Sequence, residues 1–128
     1  MLLCIGLMSG TSLDGVDGVL AGFDARSLRP LQVHAHRHVD LPPALAQELL
    51  SLNRPGDDEL HRAALAANAL MGVYADVVEH LLARAGCRPA DILAVGAHGQ
   101  TVRHRPQAGD GIGYTIQLAH LDSLTVKV

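Results

Sequence analysis

Residues 2–23 of the chain, LLCIGLMSGTSLDGVDGVLAGF, decide its fold. The apolar run at residues 2–8 is bounded by Gly and Ser, a pattern typical of a buried strand. Residues 9–15 are mainly turn-forming, and an apolar, β-like pattern resumes from Val16 to Phe23. The sequence therefore predicts two strands joined by a tight polar loop.

A third strand is predicted at residues 31–40, and three strands in succession favour an antiparallel meander. Pro42 and Pro43 end this stretch. Successive side chains of a strand point to opposite faces, so one face is expected to be apolar and the other to carry histidines. The apolar face would hold Leu31, Val33, Ala35 and Val39, and the other face His34, His36 and His38.

Two helices are predicted next, at residues 43–52 and from Gly56 to Gly86. Asp57 or Asp58 is expected to cap the longer helix. Its apolar stripe favours a helix packed on a sheet, with a coiled coil as the alternative. The stripe consists of Leu60, Ala64, Ala67, Met71, Tyr74, Val78, Leu81 and Ala85.

Residues 91–97, DILAVGA, are nearly all apolar, as expected for a central parallel strand. Residues 98–101, HGQT, follow at the strand end where open α/β sheets bind ligands. A loop at 109–113 and a short strand at 114–118 come last. The order β-β-β-α-α-β-β indicates an α/β fold with a mixed sheet and packed helices.

Composition excludes several classes of protein. Apolar residues make up 48% of the 128 residues and charged residues 18%, which is typical of one globular domain. The net charge of −3 and the three aromatic residues offer neither a basic surface nor stacking platforms, so nucleic-acid binding is not expected.

The N-terminal apolar run is too short for a signal peptide or a membrane span. Cys4 and Cys87 have no metal-ligand spacing and are expected to be free thiols in a reducing compartment. A cytoplasmic protein without membrane attachment is therefore expected.

The stretch at residues 10–17, GTSLDGVD, carries the strongest chemical signal. Its Gly, Thr and Ser residues present N–H groups and hydroxyls with little bulk, and such a concavity holds phosphate oxygens. Asp14 and Asp17 add carboxylates that suit Mg²⁺. A Walker loop is excluded because the only lysine is Lys127. A plain hairpin turn is the alternative.

Three segments resemble markers of the anhydro-N-acetylmuramic acid kinase family, in the family's order. Residues 6–17 resemble its opening, residues 98–104 its second marker and residues 113–118 its third. The resemblance implies an RNase H-like half of the sugar kinase, Hsp70 and actin superfamily, whose two halves close around ATP. It implies that the 1,6-anhydro ring of anhydro-N-acetylmuramic acid is cleaved and O6 is phosphorylated, during recycling of the bacterial cell wall.

The resemblance also assigns residues and ligands. ATP and Mg²⁺ are the expected cofactors and a small sugar the implied partner, and a homodimer of the full-length protein is left open. Asp14 and Asp17 are the candidate magnesium ligands because of their carboxylates. The implied phosphate-binding residues are Gly10, Thr11, Ser12, Leu13, Asp14, Gly15, Val16 and Asp17. The implied sugar-binding residues are His98, Gly99, Gln100 and Thr101.

No catalytic base is assigned, since the family's water-activating carboxylate lies past residue 128. Asp14 and Asp17 are not expected to replace it, because groups that cradle the γ-phosphate lie on the wrong side of the reaction. Residues 1–118 are thus expected to be an incomplete N-terminal kinase domain and 119–128 a divergent tail. The alternative is a catalytically inactive fragment that retains weak nucleotide or sugar binding.

Other candidate groups have simpler explanations. The histidines of the third strand have a spacing that suits Zn²⁺ or Ni²⁺, but a solvated strand face is favoured because a full ligand set is not evident. The cluster Arg103, His104 and Arg105 would face either the ligands or solvent. His61 and His80 are expected at the surface of the long helix.

Overall fold

The first three strands form an antiparallel meander, as predicted. In the computed structural model, which describes residues 1–121 and Leu124, the first two strands pair from Leu2 opposite Phe23 to Ser9 opposite Val16. The loop of residues 10–14 therefore lies at one end of the sheet. The strands are β1 (Leu2–Ser9), β2 (Gly15–Phe23) and β3 (Pro30–Asp40).

The fourth strand, β4 (Ile92–Ala97), pairs in parallel with β1, and the strand order is β3-β2-β1-β4. The predicted mixed sheet is confirmed. The prediction of a central strand is wrong for the described residues, because β4 lies at the edge of this sheet. Leu93 is 65% exposed and Val95 39%. An apolar run shows that a strand favours burial on both faces, but it does not show which neighbours provide that burial.

Residues 100–105 form a strand that the sequence did not predict. This strand, β5 (Gln100–Arg105), pairs antiparallel with β6 (Tyr114–Leu118) as a separate two-stranded sheet. Its polar and basic side chains, QTVRHR, lack the apolar alternation that marks a half-buried strand. Only Val102 and Gln100 on this strand are buried.

Both predicted helices are present, as α1 (Pro43–Ser51) and α2 (Glu59–Ala85). Gly86 ends α2 in the left-handed conformation, at φ 65°, as predicted. The predicted cap is wrong: Asp58 is itself left-handed, whereas a capping side chain requires extended backbone at that position. No helix in the described part of the chain is long and apolar enough to cross a membrane.

Helix α2 packs on the sheet, so the sheet-packed alternative is confirmed. The helix lies close to β2 at Gly18, where an added Cβ would collide with Val77 and lie 3.1 Å from Leu81. The predicted burial of Leu60 and Ala64 is wrong, because both are exposed. In the first turns of α2 it is Arg62 that contacts α1, through its ion pair with Glu48. The helix side of the core consists of Ala66, Ala67, Leu70, Met71, Val73, Tyr74, Ala75, Val77, Val78, Leu81 and Leu82.

The predicted alternation of β3 fails in its first half. Leu20 lies opposite Ala35, but the next residue of β2, Ala21, lies opposite Val33, so His34 is an inserted residue. Such a bulge reverses the faces of the residues before it. Leu31 and Val33 are exposed for this reason, while Ala35 is buried as predicted.

Candidate functional site

The loop of residues 10–14 is a tight turn with exposed polar side chains. The N–H of Leu13 donates to the carbonyl of Gly10 at 3.2 Å, and Leu13 adopts a left-handed φ of 57°. The hydroxyl of Ser12 donates to Oδ1 of Asp14 at 3.0 Å. Thr11, Ser12 and Asp14 are all exposed. Small donors on an exposed turn suit phosphate oxygens.

The remaining residues of the predicted phosphate-binding segment belong to β2. Gly15 and Val16 are buried, and Asp17 lies exposed on the sheet face opposite α2. A Cβ at Gly15 would lie 2.5 Å from the ring of His38 and from the carbonyl of Val39, so glycine permits the close pairing with β3. The structure therefore divides the segment into a ligand-accessible turn and a strand that anchors it.

The carboxylate of Asp17 contacts two histidines of β3. Its Oδ1 lies 3.0 Å from Nδ1 of His38 and 3.5 Å from Nε2 of His36, while the other ring nitrogen of His38 lies 3.0 Å from Oδ1 of Asp40. Hydrogen bonds to Asp17, and then to Asp40, raise the pKa of His38. The protonated ring is favoured because both of its nitrogens face carboxylates.

The histidines do not gather as a metal site. Within residues 1–121, no three or more His, Cys, Asp or Glu side chains are grouped so as to hold a metal ion. His34 instead lies 3.4 Å from the sulfur of Met1. The solvated strand face is therefore the better interpretation of His34, His36 and His38.

The second predicted segment, residues 98–101, turns sharply between β4 and β5. The N–H of His98 donates to the carbonyl of Leu7 at 3.1 Å, which extends the pairing of β4 with β1. Gly99 has a φ of 79°, and a Cβ there would lie 2.5 Å from the carbonyl of Leu118. His98 is exposed, whereas Gly99 and Gln100 are buried and Thr101 is half-buried. Gln100 thus presents no surface to an outside ligand.

The two predicted segments lie side by side. The side-chain amide of Gln100 donates to the carbonyl of Gly10 at 3.1 Å. The hydroxyl of Ser9 donates to the carbonyl of Gly99 at 3.3 Å. The polar turn after β1 and the polar turn after β4 therefore meet at one end of the sheet, as expected for the ends of parallel neighbouring strands, and together form one candidate site.

The sequence did not predict that the side chains of Ser9 and Tyr74 meet beside the two turns. Their hydroxyl oxygens lie 3.2 Å apart, and both side chains are buried. Burial raises the pKa of Tyr74, so its hydroxyl stays protonated. The available signal was a tyrosine in the apolar stripe of α2, since a buried tyrosine hydroxyl usually has a partner.

The structure separates Arg103, which packs inside the fold, from the other two residues of the basic cluster. Arg103 donates to the carboxylate of Glu59 at 2.7 Å and to the carbonyl of Leu52 at 3.0 Å, and its side chain is largely buried. This pairing joins β5 to both helices. His104 and Arg105 are exposed. His61 and His80 are exposed on α2, as predicted.

Comparison with known proteins identifies the family. The profile of the family described as anhydro-N-acetylmuramic acid kinase matches residues 2–128. The chain belongs to this family. The anhydro-N-acetylmuramic acid kinase of Albidiferax ferrireducens is 61% identical over 116 residues, which is 91% of this chain and 29% of the relative. The protein of the same name from Variovorax paradoxus is 57% identical over 117 residues, 91% of this chain and 30% of the relative.

A third relative, from Bordetella pertussis, bears the same name and is 55% identical over 116 residues, 91% of this chain and 29% of its own length. The chain thus spans about 30% of the length of these anhydro-N-acetylmuramic acid kinases. The resemblance carried by the three sequence markers is confirmed, and the family is by its name a family of kinases.

Proposed function

We propose that this chain forms the N-terminal part of an ATP-dependent kinase that opens the 1,6-anhydro ring of anhydro-N-acetylmuramic acid and phosphorylates O6. The product would be N-acetylmuramic acid 6-phosphate, formed in recycling of the bacterial cell wall. The family match over residues 2–128 carries the proposal. The meander of β1 to β3, followed by helices and the parallel β4, supports an RNase H-like half of the actin-like superfamily.

The turn of residues 10–14 is proposed to bind the phosphates of ATP. Its exposed Thr11 hydroxyl and its backbone N–H groups are uncharged donors that suit phosphate oxygens. The Ser12 hydroxyl would join them on turning from Oδ1 of Asp14, to which it donates at 3.0 Å. Residues 15–17 would support this turn from β2, with Gly15 and Val16 buried beneath it.

Mg²⁺ is the proposed second cofactor, because it neutralises phosphate charge in kinases. Asp14 fits this role, since its exposed carboxylate lies on the same turn as the phosphate donors. Asp17 fits this role only when its carboxylate is not paired with His38, because Oδ1 of Asp17 lies 3.0 Å from Nδ1 of His38. We therefore propose Asp14 as the primary ligand and Asp17 as a ligand that competes with His38.

The turn of residues 98–101 is proposed to bind the sugar. His98 is exposed and Thr101 half-buried, so these two offer polar side chains to hydroxyl groups. Gly99 and Gln100 would contribute by shaping the turn, since both are buried. The carboxylate that activates the attacking water is proposed to lie past residue 128, as the family resemblance implies.

Cellular location and oligomeric state are proposed as well. ATP as the phosphoryl donor favours the cytoplasm, and a homodimer is proposed for the full-length protein only. A second candidate function is binding without turnover, and the share of the relatives that the chain spans, 29–30%, favours it for the polypeptide assayed alone. Phosphoryl transfer depends on groups positioned on both sides of the transferred phosphate.

The test combines turnover with binding. The chain is incubated with MgATP and 1,6-anhydro-N-acetylmuramic acid and followed by ³¹P NMR, with the full-length Albidiferax ferrireducens protein as the positive control. We expect no sugar phosphate in the ³¹P spectra, and in ¹H–¹⁵N correlation spectra we expect MgATP to shift the amide resonances of residues 10–14. Ser12→Ala should weaken this binding, whereas Ser27→Ala, in the exposed β2–β3 turn, should not.

Two results would count against these assignments. A new sugar-phosphate resonance would show that the chain supplies its own base, so that the base does not lie past residue 128. Loop resonances unmoved by MgATP at millimolar concentration would overturn the assignment of residues 10–14 to phosphate binding.

A further inference from the structure

A buried path of hydrogen bonds joins α2 to Ser9, the last residue of β1 before the turn of residues 10–14, and from there to the turn of residues 98–101. The Tyr74 and Ser9 hydroxyl oxygens lie 3.2 Å apart, and Ser9 lies 3.3 Å from the carbonyl oxygen of Gly99. A carbonyl only accepts, so Ser9 gives it its single proton and must accept from Tyr74. The proton order is therefore Tyr74 to Ser9 to Gly99.

A second buried contact runs directly between the turns. Gln100 is 1% exposed, and its amide nitrogen donates to the carbonyl of Gly10 at 3.1 Å. The same carbonyl accepts the N–H of Leu13 at 3.2 Å. Among the residues that the structure describes, the buried oxygen of the Gln100 amide has no hydrogen-bond partner. A buried acceptor without a partner destabilises the fold by about 1–3 kcal/mol. An apolar side chain would avoid this loss, so we attribute the glutamine to the hydrogen bond that its nitrogen donates to Gly10.

We propose that Tyr74 and Gln100 are positioning residues, which hold the turn of residues 10–14 and the turn of residues 98–101 at a fixed separation. The identity of the two ligands rests on the proposed function: nucleotide phosphates on the first turn and the anhydro sugar on the second. With the separation fixed, the γ-phosphate and the sugar oxygen meet in one geometry, and such alignment is a large part of phosphoryl-transfer catalysis.

Helix α2 provides the rigid reference for this arrangement. It is 27 residues long, and Tyr74 lies near its middle with 0% exposure. A phenylalanine would fill the same apolar space, so the contribution of the Tyr74 hydroxyl is its directional hydrogen bond to Ser9 and not the burial of apolar surface. Groups on rigid elements hold a site more accurately than groups on loops.

The test removes single hydrogen-bonding groups and measures amide hydrogen exchange in the full 128-residue chain. Tyr74→Phe deletes the buried hydroxyl, and Tyr114→Phe deletes an exposed one on β6 as the matched control. The reporters are the N–H groups of Leu13 and His98, one on each turn. The N–H of Cys87, which donates to the carbonyl of Leu82 at 2.9 Å just past the C-terminal end of α2, reports on opening away from the two turns.

We expect Tyr74→Phe to raise exchange at Leu13 and His98 together, about fivefold to tenfold, with Cys87 unchanged. Gln100→Met, which keeps the length but removes the donor, should do the same. Equal acceleration at all three reporters would mean that Tyr74 only stabilises the core. Acceleration confined to one turn, or none, would mean that the turns are not held jointly. Either result overturns the proposal.

A ligand measurement separates this proposal from the proposed function. In the wild-type chain, saturating 1,6-anhydro-N-acetylmuramic acid should tighten binding of a non-hydrolysable MgATP analogue about fivefold. Tyr74→Phe should abolish that coupling while each ligand alone binds within about twofold of wild type. Coupling that survives in Tyr74→Phe contradicts the positioning role. A wild-type chain that binds neither ligand contradicts the proposed function, and the exchange comparison still decides the positioning role.

Discussion

The side-chain amide of Gln100 donates a hydrogen bond to the carbonyl of Gly10, across a sequence separation of 90 residues. That carbonyl also accepts the N–H of Leu13, so both of its lone pairs are used within the chain. The conformation of the turn at residues 10–14 is therefore set by β1, β5 and the turn itself. A preformed turn of this kind avoids part of the ordering cost of binding an anion.

Gly99→Ala is expected to destabilise the chain by about 1–3 kcal/mol. The backbone of Gly99 is left-handed, and the new Cβ would lie 2.5 Å from the Leu118 carbonyl. Urea unfolding measures the change. Gly109→Ala is the control, because a Cβ there meets nothing within 4 Å and the change should stay within about 0.5 kcal/mol. Equal stability of Gly99→Ala and wild type would contradict the close approach of this turn to β6.

A glycine at the helix–sheet contact and a glycine on the outer side of α2 should respond with opposite signs. Gly18→Ala would drive a Cβ into Val77, and overpacking of this kind costs about 1–3 kcal/mol. Gly72, inside α2, has nothing within 4 Å of an added Cβ, so Gly72→Ala should stabilise the chain by about 0.5–1 kcal/mol through helix propensity. Thermal unfolding of both variants provides the comparison. A destabilising Gly72→Ala would show that the outer side of α2 is covered.

The meander and both helices were predictable from sequence because local chemistry determines them. Turn residues at 9–15 separate two apolar runs, and Gly86 follows the last apolar position of α2. The two polar turns were also predictable as candidate sites, since each follows a strand. Their adjacency follows from the parallel pairing of β1 with β4.

The rest depends on contacts between distant residues. The bulge at His34 exposes Leu31 and Val33, and no pattern within β3 indicates it. The edge position of β4 depends on its neighbours, which an apolar run does not specify. Ser9 and Tyr74 are 65 residues apart, so their pairing is visible only in the folded chain.

Arg88→Gln should raise the pKa of Asp91 towards its ordinary value. The side-chain hydrogen bond from Arg88 is the largest cause of the lowered pKa of Asp91. The N–H of Arg88 also donates to this carboxylate, so the pKa should remain somewhat low in the variant. Carboxyl ¹³C chemical shifts followed from pH 7 to pH 2 measure the change. Arg84→Gln, an exposed change near the end of α2, should leave the pKa of Asp91 unmoved.

The sign for stability follows from the direction of the shift. The pKa of Asp91 is lowered in the folded chain. Its carboxylate therefore stabilises the fold at pH values above the pKa of an aspartate in the unfolded chain, about 3.9. That contribution is lost as the pH falls through the folded value. Arg88→Gln should therefore show a smaller loss of stability between about pH 5 and pH 2 than wild type does. An equal acid loss in both proteins would mean that the pair does not stabilise the fold.

The edge strand β4 should make the 128-residue chain associate at high concentration. Its sequence ILAVGA contains no charge or proline, and Leu93 and Val95 are exposed beside an apolar groove that Leu82 also lines. Uncharged edges of this kind pair with other chains. Leu93→Lys should reduce both the sedimentation of larger species and the fluorescence of a bound hydrophobic dye. Leu60→Lys, at an exposed leucine on α2, is the control and should change neither. A wild-type chain that sediments as a monomer without binding dye would show that β4 does not pair with other chains.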